Sequence, residues 1–268
     1  MKLAANLSLL FTELPFEERP AAARQAGFEG AEILFPYDRP ASALRRLMAD
    51  SGLQLALINT PLGPLGEPGL AAVDGAQPGF RDAMERALDV ACETSCPTIH
   101  VMAGRPDPLL RTEDVRRVLV DNLRWASSRA LGYGITLTLE ALNRIDMPGY
   151  AYHLPSEALN VITQAGASNL RLQFDFFHAA RERLDWLVVL DECRAAIHHV
   201  QLAQAPHRTQ PDLADAGLRQ ALQRLVSWNS VSWLGLEYRP PGSTAASLDW
   251  MPAMQALLSR TADDEPRP

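Results

Sequence analysis

Four short apolar runs in the second half of the chain each carry a lone oxygen-bearing residue near their end. They are LTLEALN with Glu140, LRLQFDFFHA with Asp175, HHVQLAQ with Gln201 and WLGLEYRP with Glu237. The separations are 35, 26 and 36 residues, close to the roughly 30 residues of one strand-plus-helix unit in an eight-fold barrel. If the runs are consecutive parallel strands, three carboxylates and an amide converge on one mouth of the barrel. Carboxylates crowded in that way repel one another unless a hard divalent cation sits between them.

The rest of the chain repeats the same alternation. Strand patterns fall at Leu3–Leu9, Gly30–Leu34, Leu53–Asn59, Thr98–Met102, Ile135–Leu139, Leu170–Asp175, His199–Leu202 and Ser232–Glu237. Helical patterns lie between them. One runs from Pro15 to Ala26 and stops at Gly27; another runs from Ala41 to Asp50 and is closed by Gly52, both glycines fitting a left-handed cap. Phe80, Met84, Ala87, Leu88 and Ala91 form one apolar stripe. Thr112, with Glu113 and Asp114 after it, fits a helix N-cap and acidic first turn. Further helices are expected at Ser156–Gln164, Leu184–Arg194, Leu213–Trp228 and Leu248–Ser259. Strands apolar on both faces belong in a parallel sheet covered by helices. Eight alternations favour an α/β fold closed as a single (β/α)8 TIM barrel over an open doubly wound sheet. No Gly-x-Gly-x-x-Gly opens the first helix, which counts further against a dinucleotide-binding sheet. The barrel is expected over residues 1–260, with 261–268 a frayed tail. The Gly- and Pro-rich stretch 61–79 is too long for a mere connector and reads as a candidate lid.

At 268 residues the chain fits one such barrel. The net charge of −7 argues against a nucleic-acid partner, which requires a basic face. It leaves open a small anionic substrate, which needs only local positive charge. No run approaches the length of a membrane span, and MKLAANLSLLF has no convincing signal cleavage site, so it is read as the first strand of a cytoplasmic protein. Three cysteines, Cys92, Cys96 and Cys193, suit a reducing compartment better than a disulfide framework. Cys92 and Cys96, four apart on one expected helix, are read as buried packing. His198 and His199 are expected to point to opposite sides of a strand. A homo-oligomer is compatible with a barrel, whose exposed helical faces commonly pair.

Oxygen-only ligands select Mg²⁺, Mn²⁺ or a similar hard ion. Each of the four residues alone could instead cap a helix or pair with an arginine; their coincidence across neighbouring strands is what points to a metal.

The segments AANLSLLFTE, INTP, HVMAG, DMPGY, LQFDFFHA, HVQLA and GLEYRP resemble the hydroxypyruvate isomerase family, within the xylose-isomerase-like TIM barrels. The likeness runs from about Leu3 to Trp250. It implies that Glu140, Asp175, Gln201 and Glu237 hold the metal, and that Glu140 and Glu237 also form the catalytic proton-transferring pair. It further implies that His178, Asp146 and Arg208 contact substrate. Asn59 and His100, on other strands, are placed to line the pocket. The implied activity interconverts hydroxypyruvate and tartronate semialdehyde through a cis-enediolate. Alternatives on the same frame are an isomerase of a longer 2-oxo acid of 2-oxo-tetronate type, a ketose 3-epimerase, an inosose-type dehydratase, or a metabolite-binding barrel without turnover. Two loops depart from the family pattern: Pro68 stands where an arginine is expected, and in HRTQPD Thr209 and Gln210 replace a histidine and an acid, with Asp215 loosely standing for a later glutamate. Loops at this face decide substrate more than chemistry.

Overall fold

The computed structural model describes residues 1–259; the expected frayed tail, 261–268, lies outside them. Strands β1 (Lys2–Asn6), β2 (Gly30–Ile33), β3 (Gln54–Asn59), β4 (Thr98–His100), β5 (Thr136–Glu140), β6 (Leu170–Asp175), β7 (Ile197–Leu202) and β8 (Trp233–Leu236) follow one another around a closed parallel barrel. The closure is made by β8 pairing with β1, Leu3 opposite Leu234 and Ala5 opposite Leu236. The alternation read from the sequence is therefore a TIM barrel.

Helices α1 (Arg19–Gln25), α2 (Ala41–Ser51), α3 (Gln77–Thr94), α4 (Thr112–Leu131), α5 (Pro155–Ala165), α6 (Phe176–Arg181), α7 (Trp186–Cys193), α8 (Ala216–Trp228) and α9 (Met251–Ser259) complete the chain. The expected stripe of α3, from Phe80 to Ala91, is buried. Gly52 ends α2 at φ 71° and Gly166 ends α5 at φ 68°, left-handed positions where a side chain would strain the backbone.

Four local expectations are corrected. Thr112 is the first residue of α4, not its cap; Arg111 precedes it and its Nε lies 2.8 Å from Asp114 Oδ2, so the acidic first turn is held from outside the helix. Asp215 is the N-cap of α8, accepting from the N–H groups of Gly217 and Leu218, and is thus tied up in the backbone rather than free for a ligand. Cys92 is exposed, whereas Cys96 is buried: α3 ends at Thr94 and Ser95 turns left-handed, so the two thiols do not share a helical face. His198 and His199 do not point to opposite sides. The register jumps from Leu172 opposite Ile197 to Gln173 opposite His199, leaving His198 as an extra residue in β7. At such a bulge alternation lapses, and both rings reach across the barrel: His198 Nε2 to Thr98 Oγ1 at 3.3 Å and His199 Nε2 to Glu32 Oε1 at 2.5 Å.

The long loop between β3 and α3 is pinned at its middle. Gly69, at φ 99°, passes so close to β4 that a Cβ would lie 2.0 Å from the Met102 carbonyl oxygen. Ala72 N–H donates to the Ala103 carbonyl, and Asn122 donates to that of Ala71. Its Leu62 and Pro68 form part of the wall of the cavity at the barrel mouth.

Candidate active site

A cavity of about 290 Å³ opens at the carboxyl ends of the strands. Its lining includes Asn59, His100, Glu140, Asp146, His178, Gln201, Arg208 and Glu237. Asp175 stands beside it, its Oδ2 3.6 Å from His178 Nε2. All nine residues singled out from the sequence thus fall at one mouth. Glu140 ends β5, Asp175 ends β6, Gln201 is the penultimate residue of β7 and Glu237 follows β8 directly. Asp175 pairs in register with Gln201, and Gln201 with Gly235.

Asp175 divides its two oxygens between two tasks. Oδ1 accepts from Phe177 N–H at 2.8 Å and so caps α6. Oδ2 faces His178 and, at 3.5 Å, Arg208 Nη2. Arg208 also lies 2.7 Å from Glu237 Oε1 with Nη2 and donates from Nε to the Glu237 carbonyl at 3.0 Å.

Burial dominates the electrostatics. It pushes the Glu237 carboxyl up to about 8, even though Arg208 pulls the other way. Glu140 is raised well above the usual carboxylate range by burial first, then by Glu237 and Asp175. Asp175 is also raised by burial, against the opposing pull of Arg208 and the Phe177 N–H. With Glu32 beneath, four carboxylates face a single guanidinium, so a compensating cation is chemically called for.

Ligating atoms of Glu140, Asp175 and His178 lie within 4.8 Å of one another, near enough to share an ion. The histidine is the weak member of that trio. Its Nδ1 accepts from the Asn143 backbone N–H at 3.0 Å and sits 2.7 Å from Asn143 Nδ2. Two donors on Nδ1 fix the proton on Nε2, and a protonated nitrogen cannot ligate. Burial and the nearby Arg208 charge hold the ring neutral, well below its usual range. His178 Nε2–H is therefore a donor aimed between Glu140 Oε1, at 3.7 Å, and Asp175 Oδ2. Without His178, that trio keeps the oxygens of Glu140 and Asp175, and Glu237 and the Gln201 amide line the same cavity; oxygen donors of this kind suit a hard divalent ion.

Asp146 does not touch His178. It accepts from Asn143 Nδ2 at 2.8 Å, and Asn143 stands between them. Among the described residues neither ring nitrogen of the buried His100 makes a hydrogen bond, although Nδ1 lies 3.4 Å from Glu140 Oε2, and the buried Asn59 Oδ1 makes none either. The two residues are opposite each other in the β3–β4 register. Burial, then the charge of His199, holds His100 neutral at about 3. Unpaired buried groups on a cavity wall are the places where a ligand's hydroxyls would be satisfied.

Sequence reading missed Glu32, Gln173, His199 and Asn143, all buried at or beneath the mouth. A readable signal existed for the first: a lone acid in the middle of the apolar run GAEIL.

Comparison with known proteins agrees with this architecture. The chain is 33% identical to the 2-oxo-tetronate isomerase of Haemophilus influenzae, across 93% of this chain and 97% of that one. It is 32% identical to the hydroxypyruvate isomerase of Escherichia coli K12, across 94% and 98%. The crystal structure of a Brucella melitensis protein described as AP endonuclease, family 2, superposes with a TM-score of 0.88 at 34% identity, covering 94% of this chain and 98% of that one. The pattern of the xylose isomerase-like TIM barrel family matches residues 20–254, and the chain belongs to that family.

Proposed function

We propose that the protein is a metal-dependent aldose–ketose-type isomerase of a small 2-oxo-hydroxy acid. Hydroxypyruvate and a four-carbon 2-oxo-tetronate are equally supported as substrates, since relatives named for both match at similar identity over nearly the whole chain. The observation that carries the reading is the pair of buried glutamates, Glu140 and Glu237, on one cavity with raised proton affinities. A carboxylate that ionises near neutrality is suited to taking a proton from carbon and giving it back.

Glu140, Asp175, Gln201 and Glu237 would hold the divalent cation. When bound, the cation supplies Lewis-acid stabilisation of the negative charge that develops on substrate oxygen. One glutamate removes a proton from the carbon bearing the hydroxyl, leaving a cis-enediolate. The second glutamate, or the same one, delivers a proton to the neighbouring carbon while the hydroxyl proton passes to the former carbonyl oxygen, so the carbonyl and hydroxyl exchange places. His178 Nε2–H donates to a substrate oxygen, and His100 with Asn59 satisfies a hydroxyl. Arg208 takes the substrate carboxylate; its fork suits two oxygens, and among the described residues its Nη1 makes no hydrogen bond. A nuclease reading is not favoured: the net charge is −7, and among the described residues the one carboxylate–histidine–cysteine cluster close enough for a metal is the trio described above.

The test is a turnover panel with Mn²⁺: hydroxypyruvate, 2-oxo-tetronate and neutral ketoses, on wild type and Arg208→Ala. Turnover of the acids is expected, with KM for them raised about 10–100-fold by Arg208→Ala, the worth of a charge-assisted hydrogen bond. Preference for neutral ketoses, with an Arg208→Ala effect independent of substrate charge, would refute the acid assignment. No helix of the described residues is long and apolar enough to cross a membrane, and a cytoplasmic location fits a soluble metabolite as substrate.

A further inference from the structure

Beneath the mouth lies a set of buried polar residues that the proton transfer leaves without a task. Glu32, in β2, is wholly buried. Its Oε2 accepts from Gln201 Nε2 at 2.8 Å and from Asn6 Nδ2 at 3.2 Å, and its Oε1 lies 2.5 Å from His199 Nε2. A carboxylate in a closed barrel is tolerated only with partners of this kind. Gly235 makes the room, because a Cβ there would lie 1.8 Å from Glu32 Oε1.

Because Gln201 Nε2 donates to Glu32 Oε2, the NH₂ end of the amide meets Glu32 and the carbonyl Oε1 turns the other way. There it accepts from Gln173 Nε2 at 2.7 Å. Gln173 Nε2 also donates to Glu140 Oε2 at 3.0 Å, and its own carbonyl accepts from Thr138 Oγ1 at 2.9 Å. The donors run in one direction, from Thr138 through Gln173 and Gln201 to Glu32. Without the terminal acceptor, the Gln173 donation alone holds the Gln201 oxygen in place, and loss of that single bond lets the amide turn its NH₂ toward the cavity, where it would repel a cation.

We infer that Glu32, backed by His199, is a positioning residue of the metal centre: it locks the Gln201 amide so that an oxygen, and not a nitrogen, is offered to the ion. The inference rests on Gln201 being a ligand, as proposed above.

Mn²⁺ is the probe, titrated into chelator-treated full-length protein and followed by the electron paramagnetic resonance of the free ion. Wild type is expected to bind one Mn²⁺. Glu32→Gln is expected to bind about 10–100-fold more weakly, the usual cost of losing a partner that orients a ligand, with circular dichroism showing the fold retained. Glu32→Gln combined with Gln201→Glu exchanges the amide and the carboxylate. The new ligand then has oxygen at both ends and needs no orienting, so most of the affinity should return. A role confined to folding would give no such rescue. Unchanged Mn²⁺ affinity in folded Glu32→Gln overturns the inference, as does a double variant no better than the single. Should Glu32→Gln fail to fold, the double variant decides alone: near-wild-type affinity supports the inference and loss overturns it. Wild type that binds no Mn²⁺ would instead overturn the metal-dependent function itself.

Discussion

Glu237→Gln is expected to lower kcat by about 10²–10⁴-fold with Mn²⁺ saturating, the range by which a positioned acid–base group speeds proton transfer. Glu140→Gln should do the same. The amide keeps the shape and can still accept the Arg208 Nη2 contact that Glu237 makes at 2.7 Å, but it can neither take nor give a proton at carbon. The same substitutions should not cost metal-free stability. Glu237 is pushed up to about 8 because burial penalises its charge, so a neutral amide removes a penalty. Steady-state kinetics and thermal melts on the same preparations check both halves: lost turnover with an unchanged or higher melting temperature at pH 8. Full turnover in both variants would remove the glutamates from the chemistry.

Metal-free protein should become less stable as pH rises from about 4.5 to about 8, opposite to what ion-paired surface carboxylates produce. The sign follows from linkage. Glu237 is raised from the ordinary glutamate value of 4.5 to about 8 in the fold, and Glu140 is raised in the same direction. The folded state thus binds protons that the unfolded chain has already released. Their stabilisation is fully present below the unfolded value and is lost as pH passes through the folded one, on the order of a few kcal/mol for so large a shift. Saturating Mn²⁺ should reverse the trend, because it binds the ionised oxygens and adds about 2.7 kcal/mol at a hundredfold excess over Kd. Denaturant titrations at pH 5.5 and 8, with and without Mn²⁺, read this directly. A metal-free stability that rises over that interval would show that the two glutamates are ionised without cost, and that the cluster needs no cation.

The barrel was legible because both of its periods are written in the chain: short apolar runs for strands buried on two faces, and stripes such as Phe80 to Ala91 for helices. The mouth was legible because three carboxylates and an amide, each alone at the end of such a run and repeated at barrel spacing, point to one shared site. What escaped depends on register. Whether Glu32 or His199 faces inward is decided by pairing and by the extra residue at His198, neither of which a single strand's sequence encodes. Alternation alone put the two histidines on opposite sides; the bulge overrode it. Thr112 and Asp215 show the parallel ambiguity at helix starts, where one residue type serves as cap, first-turn residue or loop ligand, and only the backbone decides. Asn143 was hidden for a different reason. Its backbone N–H and its side-chain Nδ2 together fix the His178 tautomer, and a contact between a loop residue and a ring 35 positions further on leaves no local pattern to read.

If the crowded carboxylates at the barrel mouth work through a divalent cation, removing that cation must stop the reaction. The most direct measurement is turnover of hydroxypyruvate and of 2-oxo-tetronate by protein stripped with a chelator, before and after adding back Mg²⁺ or Mn²⁺. The expected result is loss of activity on stripping and recovery with one equivalent bound per chain. Stripped protein that isomerises either acid at its original rate would contradict it.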